Sequence, residues 1–178
     1  MKKLKDLDYK ILFELIENSK ISDRKLAKKV GVSQPTITRR RAKLEKEGLL
    51  DYTAIPNFEK LGIEIIAFTF VSWKPETRKP LREMRSRGDE FNLLHKRTFS
   101  KHPNLVFSAA GRGGDMNGGV FVSLHKDYTC YMNFVKELEV DWGEYMQKSY
   151  SFIVSMKGKE VRHDFTFKNL IDYIKGTK

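Results

Sequence analysis

Between Ser33 and Gly48 the chain reads SQPTITRRRAKLEKEG. This run sets amide, hydroxyl, guanidinium and ammonium groups close together. Amides, hydroxyls and guanidiniums can hydrogen-bond to base edges, and closely spaced cations can pair with phosphates. At 100° per residue on a helix, Leu44 returns to within about 20° of Ile37, which marks one narrow buried side. Pro35, Thr38, Arg39, Ala42, Lys43 and Lys46 fall on the opposite side. The pattern predicts base-edge contacts from Gln34, Thr38 and Arg39, and apolar contact with thymine methyls from Pro35. Ser33, Arg40, Arg41, Lys43 and Lys46 are expected on phosphates, and Thr36 completes the DNA-contact set. Arg41 lies about 40° from Ile37, so its charged head must snorkel from the edge of the core.

Other chemistry is sparse. His95, His102, His125 and His163 are dispersed, with no two at the i, i+4 spacing that pairs metal ligands on a helix, so no metal site is expected. His95 fits a buried stripe and His102, beside Pro103, reads as loop. No nucleophile-base arrangement can be argued from the sequence, so no catalytic residue and no cofactor are expected. Gly111 to Gly119, GRGGDMNGG, holds five glycines in nine positions. Its amides could form an anion nest with Arg112 assisting, or it could be a flexible hairpin. A dinucleotide fingerprint would need glycine where Met116 stands, and no Gly-Lys-Ser/Thr follows for a phosphate loop.

The elements that must position these groups follow from periodicity and caps. Leu7, Ile11 and Leu15, flanked by Leu12 and Ile16, predict a first helix from Leu7 to Asn18, with Asp6 or Asp8 at its start. Ser22 caps a second helix that runs to Val30, with Leu26, Ala27 and Val30 inward, and Gly31 ends it. Only about three residues then precede the third helix, the spacing of a helix-turn-helix. Ser33 is its expected cap, Pro35 suits its first turn, and Gly48 suits a left-handed helix end. Leu49 to Ile55 reads as extended chain, which completes a small winged domain.

Further on, Ile63 to Trp73 is a strand with Ile66, Phe68 and Phe70 on one face and Ile65, Ala67, Val71 and Trp73 on the other; both faces look covered. Leu81, Met84, Gly88, Phe91 and His95 predict one helix. Asn104 to Gly111 and Gly119 to Leu124 are strands, Tyr128 to Leu138 is a helix and Ser149 to Met156 a strand. The order β-α-β-β-α-β is that of a ferredoxin-like sandwich. Alternation from Val161 to Phe167 and a short helix around Leu170 to Ile174 read as an added strand and helix, expected to cover a sheet edge. The fold class is therefore α+β. Residues 1–56 form a winged helix-turn-helix domain, 57–62 a linker, 63–156 a ferredoxin-like dimerisation and effector domain, and 157–178 a C-terminal strand/helix extension.

The net charge of +11 is uneven: residues 20–46 carry ten Lys or Arg against two acids, while residues 1–19 carry four of each. That concentration on the second and third helices favours a nucleic-acid surface over a merely solvated face. The single cysteine, Cys130, excludes an internal disulfide and fits a cytoplasmic setting. No apolar stretch approaches a membrane span, so no membrane partner is expected.

Leu7-Asp8, Leu26-Ala27, Gly31-Val32-Ser33, Thr36-Ile37, Arg40, Leu44-Glu45 and Gly48-Leu49 together resemble the N-terminal domain of the Lrp/AsnC, or feast/famine, transcription regulators, of the archaeal type with a divergent effector domain. Arg41 departs from that pattern, since the family usually places an apolar residue there. The resemblance implies a sequence-specific transcriptional regulator that binds double-stranded DNA as a homodimer, with tetramers or octamers as larger assemblies. It also implies a small amino-acid effector, for which Gly111, Arg112, Gly113, Gly114 and Asp115 are the candidates. Two alternatives stand beside it: a siroheme decarboxylase-like tetrapyrrole enzyme, disfavoured because an enzyme has no use for a basic reader helix, and an architectural protein that coats DNA.

Overall fold

The computed structural model of the chain describes residues 4–77, 79, 83, 96–113, 116–158, 161 and 166–176. It divides into two compact units, one made of Met1–Ile55 with Asp164–Lys178 and the other of Pro56–His163.

Three helices build the first unit: α1 (Asp6–Glu17), α2 (Asp23–Val30) and α3 (Gln34–Lys46). Their stripes meet in one core of Ile11, Leu15, Ile21, Leu26, Ala27, Ile37 and Leu44. Each fully buried aliphatic side chain there contributes about 1.5–3 kcal/mol. On α3 only Ile37 and Leu44 are buried, as the narrow stripe predicts. Ser22 Oγ accepts from Lys25 N at 3.4 Å and opens α2. Gly31 closes it at φ 75°, a left-handed conformation in which a side chain would be strained, and its N–H donates to the Ala27 carbonyl. Residues 50–57 form no helix and no strand ladder.

The chain's last helix, α5 (Leu170–Gly176), belongs to this unit. Lys175 Nζ stands 5.6 Å from the Phe13 ring centroid on α1, and Lys168 Nζ lies 3.6 Å from Glu17 Oε1. Edge coverage of the sheet was the expectation for this extension; its helix instead returns to α1, where half-buried Phe13 offers a ring for the Lys175 cation. Most of the expected tail strand, from Arg162 to Phe165 with His163, lies outside the described residues. So does most of the helix expected through Leu81, Met84, Gly88, Phe91 and His95.

In the second unit, β1 (Ile65–Trp73), β2 (Leu105–Gly113), β3 (Met116–His125) and β4 (Met146–Ser155) form one antiparallel sheet in the order β2-β3-β1-β4, the arrangement of a ferredoxin-like domain. Helix α4 (Tyr128–Trp142) is capped by Asp127, whose Oδ1 accepts from Cys130 N at 2.7 Å. It packs Tyr131, Phe134, Leu138 and Trp142 inward. The core joins Phe134, Leu138 and Trp142 to Val71, Leu105, Phe121 and Met146. Trp142 Nε1 donates to Thr98 Oγ1 at 3.1 Å, which satisfies a buried indole.

The other sheet face differs from the covered surface that the sequence suggests. Register places Phe107, Val122, Phe68 and Phe152 in one row across four strands, and Ala109, Val120, Phe70 and Tyr150 in the next. Phe107, Tyr150 and Phe152 are 51%, 54% and 66% exposed. Apolar residues at alternate positions thus form a continuous open sheet face. Among the described residues no helix is long and apolar enough to cross a membrane.

Candidate nucleic-acid interface

Helix α3 starts with Gln34, and Pro35 occupies its first turn, where a missing amide proton costs little. Ser33 stands at the N-cap position, but its side chain accepts from no backbone amide. Its Oγ instead lies 2.9 Å from Thr36 Oγ1, so the two hydroxyls pair with each other. The expected Ser33 cap is therefore replaced by a side-chain pair.

The three consecutive arginines divide sharply. Arg39 is exposed. Arg40 turns inward: its Nη1 donates to both oxygens of Asp8 at 3.0 and 3.2 Å, and Asp8 is 2% exposed. Asp8 Oδ2 also accepts from Lys5 N at 3.1 Å, which ties the start of α1 to the same carboxylate. The phosphate contact expected of Arg40 gives way to this pair, because a buried carboxylate left alone would be costly.

Arg41 is a strut. Its Nη1 donates to Asp23 Oδ1 at 3.1 Å and to the Ile21 carbonyl at 3.3 Å, while Nε donates to Tyr52 OH at 2.6 Å. Glu45 Oε1 lies 3.4 Å from the same Nε. Burial pulls the guanidinium pKa down, but the hydrogen bonds to Asp23 and Tyr52 prevail and hold it above its ordinary value. Burial pushes the Tyr52 phenol up despite the adjacent cation. Arg41 is thus spent on joining α2, α3 and the chain after α3, and it is withdrawn from the expected phosphate set.

What remains outward on α3 is Gln34, Pro35, Thr38, Arg39, Ala42, Lys43 and Lys46, all exposed. Lys43 approaches Glu47 only at 3.9 Å, a weak surface pairing. Thr38 Oγ1 donates to Asp23 Oδ2 at 2.7 Å, with the Gln34 carbonyl at 3.2 Å as a second acceptor. The sequence reading missed Arg24, Lys25 and Lys28, which are exposed on α2. The uneven charge of residues 20–46 already contained that signal. Together these residues make a surface with small or polar groups at the start of α3 and cations on two helices, suited to base edges flanked by phosphates.

Of the two readings of the glycine-rich segment, nest or hairpin, ladder pairing fits the hairpin. Gly111 pairs with Gly118, Arg112 with Asn117 and Gly113 with Met116, so the antiparallel β2–β3 ladder runs on through the glycine-rich segment as far as Gly113 and Met116. Glycine permits the approach: a Cβ on Gly118 would lie 1.6 Å from the Val71 carbonyl oxygen. Ladder pairing replaces the expected anion nest over these residues, and Gly114 and Asp115 lie outside the described ones. Beside the hairpin, on the open sheet face, is a cavity of about 650 Å³ bordered by Gly111, Arg112, Gly113, Phe70, Lys148 and Tyr150.

Folding also assembles a polar group that the sequence scatters. Asn104 Nδ2 lies 3.2 Å from His125 Nδ1, and His125 Nε2 lies 2.8 Å from Ser123 Oγ. With the amide donating to Nδ1, the ring's Nε2–H donates to the serine. Burial lowers the His125 pKa to about 4, so the ring is neutral near pH 7. Ser123 is 0% exposed and does not line the adjoining cavity of about 440 Å³, so this array offers no accessible nucleophile. His102, expected in a loop, is 2% exposed and sits 3.4 Å from Glu137 Oε2 and 3.2 Å from Asp141 Oδ2. Cys130, in the first turn of α4, is exposed.

Comparison with known proteins agrees with this geometry. The winged helix-turn-helix DNA-binding family matches residues 4–51. An uncharacterized HTH-type transcriptional regulator of Pyrococcus furiosus is 47% identical over 113 residues, covering 63% of this chain and 76% of that protein. The leucine-responsive regulatory protein of Rhizobium meliloti is 34% identical over 91 residues, 51% of this chain; the chain spans 58% of that relative's length. In fold, an AsnC family transcriptional regulator from Agrobacterium tumefaciens matches with a TM-score of 0.72 at 22% identity, over 96% of this chain and 99% of that one. A transcriptional regulator of Neisseria meningitidis, solved as an L-Met complex, matches with a TM-score of 0.70 at 24% identity, over 92% and 96% of the two chains. With a helix-turn-helix unit whose outward residues suit DNA, followed by a ferredoxin-like sheet, the chain belongs to the Lrp/AsnC family of transcriptional regulators.

Proposed function

We propose that the chain is a cytoplasmic, sequence-specific regulator of transcription that lays α3 in the major groove of double-stranded DNA and acts without catalysis. The observation that carries this reading is the sorting of α3: Arg40 and Arg41 are bound to acids inside the unit, while Gln34, Pro35, Thr38, Arg39, Lys43 and Lys46 stay outward. Gln34, Thr38 and Arg39 read base edges. Ser33, Thr36, Lys43 and Lys46 approach the backbone, joined by Arg24, Lys25 and Lys28.

The protein works as a homodimer, so that two copies of α3 meet two half-sites. Support comes from the open sheet face of Phe68, Phe107, Val122 and Phe152, an apolar surface with a second copy as its natural cover. An amino acid held near the glycine hairpin modulates binding. The cavity beside Arg112, Lys148 and Tyr150 supports this, with the cations available to a carboxylate and the aromatic rings to a side chain. The methionine complex of the Neisseria protein supports the ligand class. Gly114 and Asp115 remain part of this candidate site.

Selection of bound duplexes from a random pool, with and without a panel of amino acids, tests the reading. A discrete inverted repeat whose affinity falls steeply with salt supports it. Uniform binding to all sequences, or affinity independent of salt, overturns it.

A further inference from the structure

Thr38 is the candidate base-reading residue whose hydrogen-bonding sense is fixed before DNA arrives. A threonine hydroxyl carries one proton and two lone pairs. Here two acceptors of the protein compete for that proton: the Asp23 carboxylate at 2.7 Å and the Gln34 carbonyl at 3.2 Å. The carboxylate bond is short and charge-assisted, so it is the stronger of the two. Asp23 is held in place in turn, because its other oxygen accepts from Arg41 Nη1 at 3.1 Å, and Arg41 is braced by Tyr52 OH at 2.6 Å. With the carboxylate holding the proton, the exposed hydroxyl has only lone pairs left for the groove, whereas the longer bond to the Gln34 carbonyl alone would hold it more weakly.

We propose that Asp23 is a positioning residue that makes Thr38 a pure hydrogen-bond acceptor, so that Thr38 reads an exocyclic amino group, adenine N6 or cytosine N4. The major-groove alternatives, guanine O6 and N7, adenine N7 and thymine O4, are themselves acceptors and cannot bond to such a hydroxyl. Asp23 and Arg41 would thereby set specificity at one base pair without touching DNA. The inference rests on α3 being the DNA-reading helix.

The test begins with motifs selected from random duplex DNA by the wild-type chain and by Thr38→Val, which keeps the shape and loses the hydroxyl. The position at which the two motifs differ is the pair that Thr38 reads. Two atoms are then deleted separately at that pair: the amino group (purine for adenine, or pyrimidin-2-one for cytosine) and the opposing keto oxygen (5-methylpyrimidin-2-one for thymine, or 2-aminopurine for guanine). Removing the amino group is expected to weaken wild-type binding about three- to tenfold, the worth of one hydrogen bond, beyond any change in Thr38→Val. Keto deletion should affect both proteins alike. In Asp23→Ala only the longer 3.2 Å bond to the Gln34 carbonyl holds the proton, which can then be given up to a base acceptor, so sensitivity should move toward the keto deletion. A purely structural role for Asp23 would lower affinity for every duplex equally. The proposal is overturned if the two motifs coincide, or if keto rather than amino deletion separates wild type from Thr38→Val. If the wild-type chain selects no motif, the DNA-reading role of α3 falls and this inference with it.

Discussion

Replacing Arg40 with alanine separates a structural arginine from a phosphate-binding one. The change leaves the Asp8 carboxylate, whose side chain is 3% exposed, with Lys5 N at 3.1 Å in place of the 3.0 and 3.2 Å bonds from Arg40. Breaking a fully buried pair by removing one partner costs about 3–5 kcal/mol. The Arg40 side chain is 20% exposed, so water entering its vacated site offsets part of that cost. A loss on the order of 2–4 kcal/mol remains, against a total of about 3.5–10 kcal/mol for a unit of roughly seventy residues. At about 4–8 °C per kcal/mol, the first unit should melt roughly 8–30 °C earlier. Circular dichroism of the full chain, followed by heat and by urea, measures the loss. The double change Asp8→Leu with Arg40→Met should recover most of it, because no unpaired charge stays buried. Salt titration of DNA binding, at a temperature where Arg40→Ala is still folded, gives the second reading. If Arg40 touches no phosphate, the slope of log K against log salt is unchanged. An unaltered melt together with a slope smaller by about 0.9 would refute the assignment.

Other outcomes follow from the second unit. Gly118→Ala drives a methyl group against the Val71 carbonyl, and it should cost on the order of 3 kcal/mol or more, seen as early melting of the sheet. Phe152→Glu places a charge on the edge strand β4 of the open sheet face; light scattering should find monomers and DNA affinity should fall, whereas a retained dimer would rule out that face as the interface. His125 has a pKa lowered by burial from 6.5 to about 4, so the unfolded chain binds more protons between those values. Its contribution to stability is therefore fully present above about pH 6.5 and is lost as pH falls toward 4. His125→Gln should flatten the pH dependence of urea midpoints in that interval.

The helices of the first unit are legible because their determinants are local. Ser22 and Gly31 bracket α2, and the return of Leu44 to the azimuth of Ile37 defines the buried side of α3. What periodicity cannot supply is the identity of a distant partner. Azimuth alone puts Arg40 and Arg41 at the flank of the core, where a phosphate and an internal carboxylate are equally good acceptors. The choice was made by Asp8, thirty-two residues away, and by Asp23, eighteen away. From sequence the glycine run stays open between nest and hairpin for a related reason. Glycine is the usual mark of a loop, yet at Gly118 it allows two backbones to approach within a strand pair. His102 does lie outside helix and strand, as Pro103 after it suggests, but its burial beside Glu137 and Asp141 of α4 could not be read from the sequence. For the candidate DNA surface, the outward residues of α3 were readable from angle, and the cations of α2 only from charge density.

The return of α5 to the first unit makes the second unit an insertion in the covalent path, so that two strands of chain, not one, connect the pair. During synthesis α1 to α3 leave the ribosome first, yet their last partner is translated only after the whole sheet. The helix bundle therefore has an early, three-helix form and a finished, four-helix form. A single cut before β1 in the finished protein would leave α1 to α3 joined to the sheet through no covalent link, only through the surface contacts of α5, Lys175 on Phe13 and Lys168 on Glu17.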